Sequence, residues 1–380
     1  MFADFARAES LQQLASLRKG IYIDEHIPNL VAISPSADLS KHAAYRAGEI
    51  IFQDKASCFP AYLLNPNPED GHVIDACAAP GNKTTHLAAI LTSQAQSGGK
   101  VTACERNPAR AQTLQKMVKL AGADGIVTIK SSQDFMRLNP EAPDFADVGA
   151  LLLDPSCSGS GIIGRDDTAV LHLPAAPSTS APPSTSSKKR KRSKSAVEVP
   201  VVEVAATATT NELSEETPEQ ETDTEKVKTR LVNLAAFQLK IVLHAFKFSN
   251  ARKVTYSTCS VHAEENEHVV VKALLSDVAK EHGWRILKKE EQVEGMKKWA
   301  RRGQVEACGS TPGVEGLEDL NLQQVADGCI RCERGTDEGT MGFFVAGFVR
   351  DEAGVLKDGD VHDGLDGNGE DEWSGFSDEE

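Results

Sequence analysis

The chain has 380 residues, 40% apolar, 5% aromatic and 26% charged, with a formal net charge of −15. That length allows two or three domains and a sizeable core, and no run approaches the roughly 18 apolar residues a membrane span needs, so no membrane partner is expected. The charge is concentrated: residues 351–380 hold twelve Asp and Glu against one Lys, 196–230 hold nine acidic and three basic residues, and KKRKRSK at 188–194 adds six positive charges. What remains is close to balance, which leaves room for a local basic surface that the total conceals.

In chain order, MFADFARAESLQQLASLRKG predicts an amphipathic helix, and its acidic residues and missing apolar stretch exclude a signal peptide. A cytosolic or nuclear protein is the expectation. HVIDA (72–76) predicts a strand, TTHLAAILTSQ (84–94) a helix, KVTACER (100–106) a strand and NPARAQTLQKMVKLAG (107–122) a helix with Pro near its start and Gly at its end. IVTIKS (126–131) and ALLLDP (150–155) predict strands, 229–248 a helix, KVTYST (253–258) a strand and AEENEHVVVKALLSDV (263–278) a helix. Strict alternation of strand and helix implies an α/β fold with a mostly parallel sheet covered on both faces. MGFFVAGFVR (341–350), paired with WRILK (284–288), would supply an antiparallel edge.

Two segments lack the apolar residues for a core: 174–225, built from Pro, Ser, Thr, Ala and Glu with one basic block, and 351–380, rich in Asp, Glu and Gly. Both are expected to be disordered, the first as an insertion that stretches a surface loop of a catalytic domain spanning 51–350. The basic run predicts a nuclear address.

Eight cysteines without a secretory signal read as reduced thiols. Only Cys329 and Cys332, in CIRC, have metal-like spacing, and one such pair alone is weak, so no metal is expected. More informative is where acidic and small residues fall. Asp75 closes the first strand and leads into ACAAPGNKT, whose small side chains let a ligand approach the backbone and whose helix start can hold an anion. The turn lacks both GxxxxGK[ST] and GxGxxG. Glu105 ends the second strand, where an acidic side chain can accept both hydroxyls of a ribose, and Asp134 after the third can bond an adenine amino group. Together they describe a nucleoside with a zwitterionic tail.

DACAAPGNKTTHLAA, LLLDPSCSGSGI and YSTCSVHAEENE, in that order, resemble the motifs of the Sun-type RNA cytosine-5 methyltransferases, and QDKASCFPAYLL (53–64) resembles the segment before that family's catalytic domain. The match runs from about residue 20 to 350. Asn82, in DACAAPGNKT, looks most like the subgroup that modifies large-subunit ribosomal RNA. The resemblance implies a Rossmann-like methyltransferase fold with a seven-stranded sheet and S-adenosylmethionine as cofactor. It assigns that cofactor to Cys77, Ala78, Ala79, Pro80, Gly81, Asn82 and Lys83, with Glu105, Asp134 and Asp154. It makes Cys259 the nucleophile that adds to carbon 6 of the cytosine and Cys157 the residue that helps release the product. Asp154 would bond the base edge, and Lys83 joins the catalytic set. The setting of Cys259, before an expected helix N-terminus, predicts a lowered thiol pKa.

The partner implied is RNA, ribosomal RNA or a pre-ribosomal particle, acted on by a monomer in the nucleus and nucleolus. The chain departs from the pattern in its short start, so that 1–50 is expected to be a remnant of an RNA-binding accessory region, in its long insertion and in its acidic tail. Two rival readings predict differently: an inactive RNA-binding scaffold would transfer no methyl group, and a dithiol redox enzyme using Cys157 and Cys259 would need no S-adenosylmethionine.

Overall fold

The structure, a computed structural model, describes residues 2–94, 99–162 and 223–350. The basic run, the acidic tail and the expected insertion up to residue 222 lie outside the described residues; 223–225, assigned above to the insertion, already belong to a helix.

The first fifty residues are not one long helix. Strand β1 (Ala6–Arg7), helix α1 (Leu11–Ser16), β2 (Gly20–Ile23) and β3 (Val31–Ile33) form a small three-stranded sheet, β1 parallel and β3 antiparallel to β2. Ser10 starts α1 by accepting from Gln13 N (3.1 Å), and Leu17 already has extended backbone. Only six residues are helical, because the flanking backbone is claimed by strand pairing instead.

Helix α2 (Ala43–Arg46) leads to α3 (Lys55–Leu64), and the expected alternation follows: β4 (His72–Asp75), α4 (Asn82–Ser93), β5 (Val101–Glu105), α5 (Pro108–Leu120), β6 (Val127–Ser131), β7 (Val148–Leu153), α6 (Asp223–Ala245) and β8 (Lys253–Thr258). The segment expected as one helix from 263 to 278 is a 3-10 turn (Ala263–Glu265), α7 (Glu267–Leu275) and the start of α8 (Asp277–His282). Ser276, with extended backbone, breaks the run and caps α8 by accepting from Ala279 N. After β9 (Trp284–Ile286) come three short helices, α9 (Glu294–Lys298), α10 (Val305–Gly309) and α11 (Leu322–Gly328), then β10 (Cys329–Cys332) and β11 (Phe343–Arg350).

The main sheet runs β10-β11-β8-β7-β4-β5-β6, with β9 also pairing β11. Five strands, β4 to β8, are parallel, and β11 is antiparallel to β8, β9 and β10. The expected pairing of the C-terminal strand with WRILK is present, Phe348 opposite Ile286. The sheet has eight strands rather than seven, because CIRC is itself a strand.

Side-chain alternation distributes the core. In β7, Ala150 and Leu152 face α4 and α5 together with Leu87 and Leu114, whereas Leu151 and Leu153 face the other layer with Val242, Phe246 and Val270. All six β7 residues are buried, as expected of a central parallel strand. The chain leaves β4 toward β5 and β6, then returns to β7 on the other side of β4. That reversal puts a ligand crevice beyond the carboxyl ends of β4 and β7.

The N-terminal segment is tied to this sheet by a third cluster. Trp299 packs edge-on against Phe59 (4.9 Å) and His26 (5.0 Å), its indole N–H donates to Arg331 O (2.8 Å), and Lys55 pairs with the buried Asp24 (2.6 Å) beside it. Trp299→Ala should therefore cost about 3–5 kcal/mol of unfolding free energy in a urea titration. Trp299→Phe, which keeps the packing and loses the hydrogen bond, should cost about 1 kcal/mol. Equal losses for both would show that packing is not what Trp299 contributes.

Candidate active site

Three strand ends converge on the crevice. Asp75 ends β4 and is buried; one carboxylate oxygen accepts from Thr84 Oγ1 (2.7 Å) and the other from Cys77 N (3.3 Å), so it pins the turn to the start of α4. Burial pushes its pKa up to about 6, against the lowering effect of the Thr84 bond. Ala78 N bonds Cys104 O (3.0 Å), Ala78 and Ala79 are buried, and Pro80 and Gly81 complete the turn, with Gly81 at φ 119°. Asn82 donates to Phe52 O (3.1 Å), while its Oδ1 is buried without a partner among the described residues. Cys77 holds its proton, because burial and then Asp75 push its thiol pKa up. Glu105 is buried at the end of β5, accepting from Asn107 N (2.7 Å) with Arg110 3.6 Å away. Asp134 is partly exposed, and one of its oxygens caps the 3-10 turn Phe135–Arg137 by accepting from Met136 N (3.0 Å).

Lys83, in the first turn of α4, reaches over the crevice to Asp154, just past β7 (2.7 Å), and to Ser57 Oγ (3.0 Å). The other Asp154 oxygen accepts from Ser257 Oγ (2.7 Å). Burial would lower the Lys83 pKa, but the Asp154 carboxylate and then Asp75 outweigh it, so the net shift is upward and the ammonium keeps its proton.

The two thiols meet there. Cys157 and Cys259, 102 residues apart in sequence, hold their sulfurs 3.0 Å apart, and Cys259 N donates to Cys157 Sγ (3.3 Å). This approach depends on the backbones behind them. Gly161 N donates to Cys259 O (2.9 Å), and Gly342 N to Gly161 O (3.0 Å). A Cβ on Gly161 would lie 2.2 Å from Gly342 O, so the contact admits no side chain. Hydroxyls of Ser158, Ser160 and Ser260 stitch the loops together at 3.1–3.3 Å.

Several residues of the site were not foreseen from sequence. Glu265 is fully buried, and its Oε1 accepts from Ser158 N (2.9 Å) and from Gln238 Nε2 (2.9 Å), which also donates to Ser156 O (3.1 Å). Tyr256 donates to Glu265 O (2.5 Å). On the other side Asn266 accepts from Thr258 Oγ1 (2.6 Å) and donates to Ser260 O (2.9 Å), clasping the turn that carries Cys259. The Ser158 and Gln238 donors meet Oε1 and tie Glu265 to the Cys157 loop, while Oε2 is buried without a partner among the described residues. The signal was present in AEENE, where two adjacent polar residues follow a thiol turn, but acidic residues there read as an ordinary helix start.

The Cys259 thiol is lowered from its ordinary value, first by the hydrogen bond from Cys157, against burial and Asp154, with Lys83 adding to the lowering. The expected helix dipole is not the cause: α7 begins eight residues beyond Cys259, and such effects fade within one turn. Cys157 is raised well above the ordinary range by the same bond and by burial. The shared bond therefore pushes the two thiols in opposite directions, Cys259 down and Cys157 up. Replacing Cys157 by Ala removes the largest lowering influence, so the pH midpoint for iodoacetamide alkylation of Cys259, followed by peptide mass spectrometry, should rise. A midpoint that stayed or fell would show that Lys83 alone sets the thiolate. No set of three or more His, Cys, Asp or Glu among the described residues is arranged to hold a metal, and Cys329 and Cys332 are buried in β10. No helix of the described residues is long and apolar enough to cross a membrane.

Residues 61–176 match the family described as 16S rRNA methyltransferase RsmB/F, and residues 2–53 match the ferredoxin-like domain of NOL1/NOP2/Sun domain family member 5. The chain is 38% identical over 326 residues to the 25S rRNA (cytosine-C(5))-methyltransferase of Schizosaccharomyces pombe, covering 86% of this chain and 55% of that protein. It is 32% identical over 354 residues to the 28S rRNA (cytosine-C(5))-methyltransferase of Mus musculus, covering 92% and 58%. It thus spans about half the length of the curated relatives it matches. A methyltransferase homolog from Pyrococcus horikoshii shares the fold at a TM-score of 0.50 and 17% identity, over 84% of this chain and 74% of that one. With family-model matches over residues 2–53 and 61–176 and relatives of this kind along most of its length, the chain belongs to the Sun-type family of RNA cytosine-5 methyltransferases, alongside members named for large-subunit ribosomal RNA.

Proposed function

We propose that this protein methylates carbon 5 of a cytosine in large-subunit ribosomal RNA, with S-adenosylmethionine as methyl donor and Cys259 as the covalent nucleophile. The observation that carries the reading is the thiol pair, 3.0 Å apart at the ends of adjacent parallel strands and next to the Lys83–Asp154 ion pair.

The turn from Cys77 to Lys83 fits the cofactor. Its side chains are small, the first N–H groups of α4 have no intrahelical partners, Asn82 Oδ1 is an orphaned buried acceptor, and the carboxylates of Glu105, Asp134 and Asp154 line successive strand ends. When bound, S-adenosylmethionine supplies an electrophilic methyl group on a sulfonium and leaves as a neutral thioether. Glu105 would accept the ribose hydroxyls and Asp134 the adenine amino group.

Carbon 5 of cytosine is a poor nucleophile until a thiolate adds to carbon 6. The Cys259 thiolate forms that carbon–sulfur bond, and the displaced electron pair makes carbon 5 the atom that takes the methyl group. Asp154, ionised beside Lys83, accepts from the amino edge of the base and stabilises a proton that ring nitrogen 3 takes up from water as charge arrives there. Once Cys259 is a thioether, the hydrogen bond that raised the Cys157 pKa most is gone. Cys157 can then lose its proton to water, remove the proton from carbon 5 and let the returning electron pair expel Cys259 as thiolate; nitrogen 3 gives its proton back to water, which restores the neutral ring.

Homology to eukaryotic ribosomal RNA enzymes and the basic run at 188–194 support a nuclear, nucleolar site of action on ribosomal RNA or a pre-ribosomal particle. The small N-terminal sheet, with its match to the ferredoxin-like domain of the relatives, supports reading residues 1–50 as the accessory RNA-binding remnant and 51–350 as the catalytic domain.

The decisive experiment uses tritiated S-adenosylmethionine, ribosomal RNA and two variants. Cys157→Ala should attack and methylate but not release, leaving a protein–RNA complex that survives a denaturing gel; Cys259→Ala should give neither adduct nor product. Activity retained in Cys259→Ala would overturn the assignment, and a wild-type protein that oxidises to a disulfide yet transfers no methyl group would favour dithiol redox chemistry. Glu105→Ala should weaken S-adenosylmethionine binding by about 1–3 kcal/mol in calorimetry. Unchanged affinity would remove Glu105 from the cofactor site.

A further inference from the structure

Next to the thiol pair lies a cleft of about 660 Å³ that the chemistry above does not use. Its inner end is formed by Ser160, Gly161 and Val261, the backbone segments that carry and clamp the two thiols, and its outer wall carries Arg301, Arg331 and Arg334. In a protein of net charge −15, such a concentration of guanidinium groups beside the reactive centre is a local reversal of sign.

The arginines are not equivalent. Arg331 makes a bidentate pair with the fully buried Glu267 (2.5 and 2.7 Å) and donates to Val261 O (3.2 Å), so it braces the wall and cannot leave. Arg301 pairs with Glu333 (2.8 Å) and Glu338 (2.6 Å) at a partly exposed position, leaving Nη2 without a partner among the described residues. Surface pairs of this kind are worth about 0–1 kcal/mol, so a stronger anion can displace them. Arg334 is exposed and has no ion-pair or hydrogen-bond partner among the described residues.

We propose that this cleft binds the phosphodiester backbone of single-stranded RNA flanking the nucleotide presented to Cys259, with Arg334 and Arg301 as the phosphate ligands. This deepens the RNA-methyltransferase reading and rests on it. A base that reaches the thiols must carry its adjoining phosphates out past the same loops, and the cleft opens from those loops. A planar guanidinium fork matches phosphate geometry with two parallel donors, which an isolated ammonium does not. Single-stranded recognition also suits an enzyme whose target atom is inaccessible in a stacked helix.

The test compares the full-length protein with Arg334→Glu, Arg334→Lys and the double variant Arg301→Ala/Arg334→Ala. A short fluorescein-labelled, cytosine-containing single-stranded RNA is titrated by fluorescence anisotropy across a salt series, and cofactor affinity and melting temperature are measured in parallel. The double variant should bind about tenfold or more weakly, with the slope of log K against log salt shallower by about 0.7 per lost contact. Arg334→Lys should fall between wild type and Arg334→Glu. With saturating RNA, kcat should be preserved while KM rises, and cofactor affinity and melting temperature should not move. Unchanged RNA affinity and salt slope in the double variant would overturn the cleft assignment, as would tighter binding of a polyglutamate peptide than of the RNA. Because binding is read without turnover, a wild-type protein that binds RNA through these arginines but transfers no methyl group would instead count against the proposed function.

Discussion

An ammonium held largely away from water survives only beside an anion, and the Lys83–Asp154 pair is where this structure meets that demand. Lys83 belongs to the helix that opens from the turn after β4, Asp154 to the strand end that leads into the Cys157 loop, and the electrostatic influence of Lys83 extends to Cys259. That contact joins α4 to the end of β7, and the Ser257–Asp154 bond brings in β8. Removing either partner would leave a desolvated charge, which explains why the surroundings supply Ser57 and Ser257 as further hydrogen-bond partners on its two sides.

Around that pair the thiol loops are shaped by exclusion as much as by attraction. The Gly161–Gly342 contact brings the Cys157 loop against the start of β11, and the buried Glu265 and Asn266 hold the two loops from behind. The result is an asymmetric pair in which the shared hydrogen bond lowers one thiol pKa and raises the other, before any substrate arrives. Such division follows from unequal surroundings, since two equivalent thiols would share the proton without a fixed direction.

Much of this was legible in the sequence, for definite reasons. The short apolar run ALLLDP and the β-branched and aromatic residues of KVTYST marked β7 and β8, and the residues just past them had to lie at the crevice. Asp75, Asp154, Cys157 and Cys259 were therefore placed by topology as well as by resemblance. What escaped depended on tertiary contacts. Glu265 lies in an acidic stretch that read as an ordinary helix start although it is buried, Gln238 sits in the middle of a helix with no motif about it, and CIRC becomes a strand only because β11 lies beside it. The arginine cleft joins Ser160 to Arg334 across the whole second half of the chain, a distance at which sequence periodicity carries no information.

The antiparallel edge has a consequence for biosynthesis. Strand β11 is the neighbour of β8, β9 and β10 together, and it supplies Phe343, with Gly342 just before it, to the back of the site. Until residues 343–350 have emerged from the ribosome, β8 has an open edge, and β9 and β10 have nothing to pair with. Nascent chains shorter than this can build the β4-to-β7 half and the turn after β4, but not the wall behind Cys259. Pairing across about a hundred residues also raises contact order and slows the last step of folding. During that interval β8 presents one unpaired strand edge, the kind of surface that chaperones cover and that aggregation exploits.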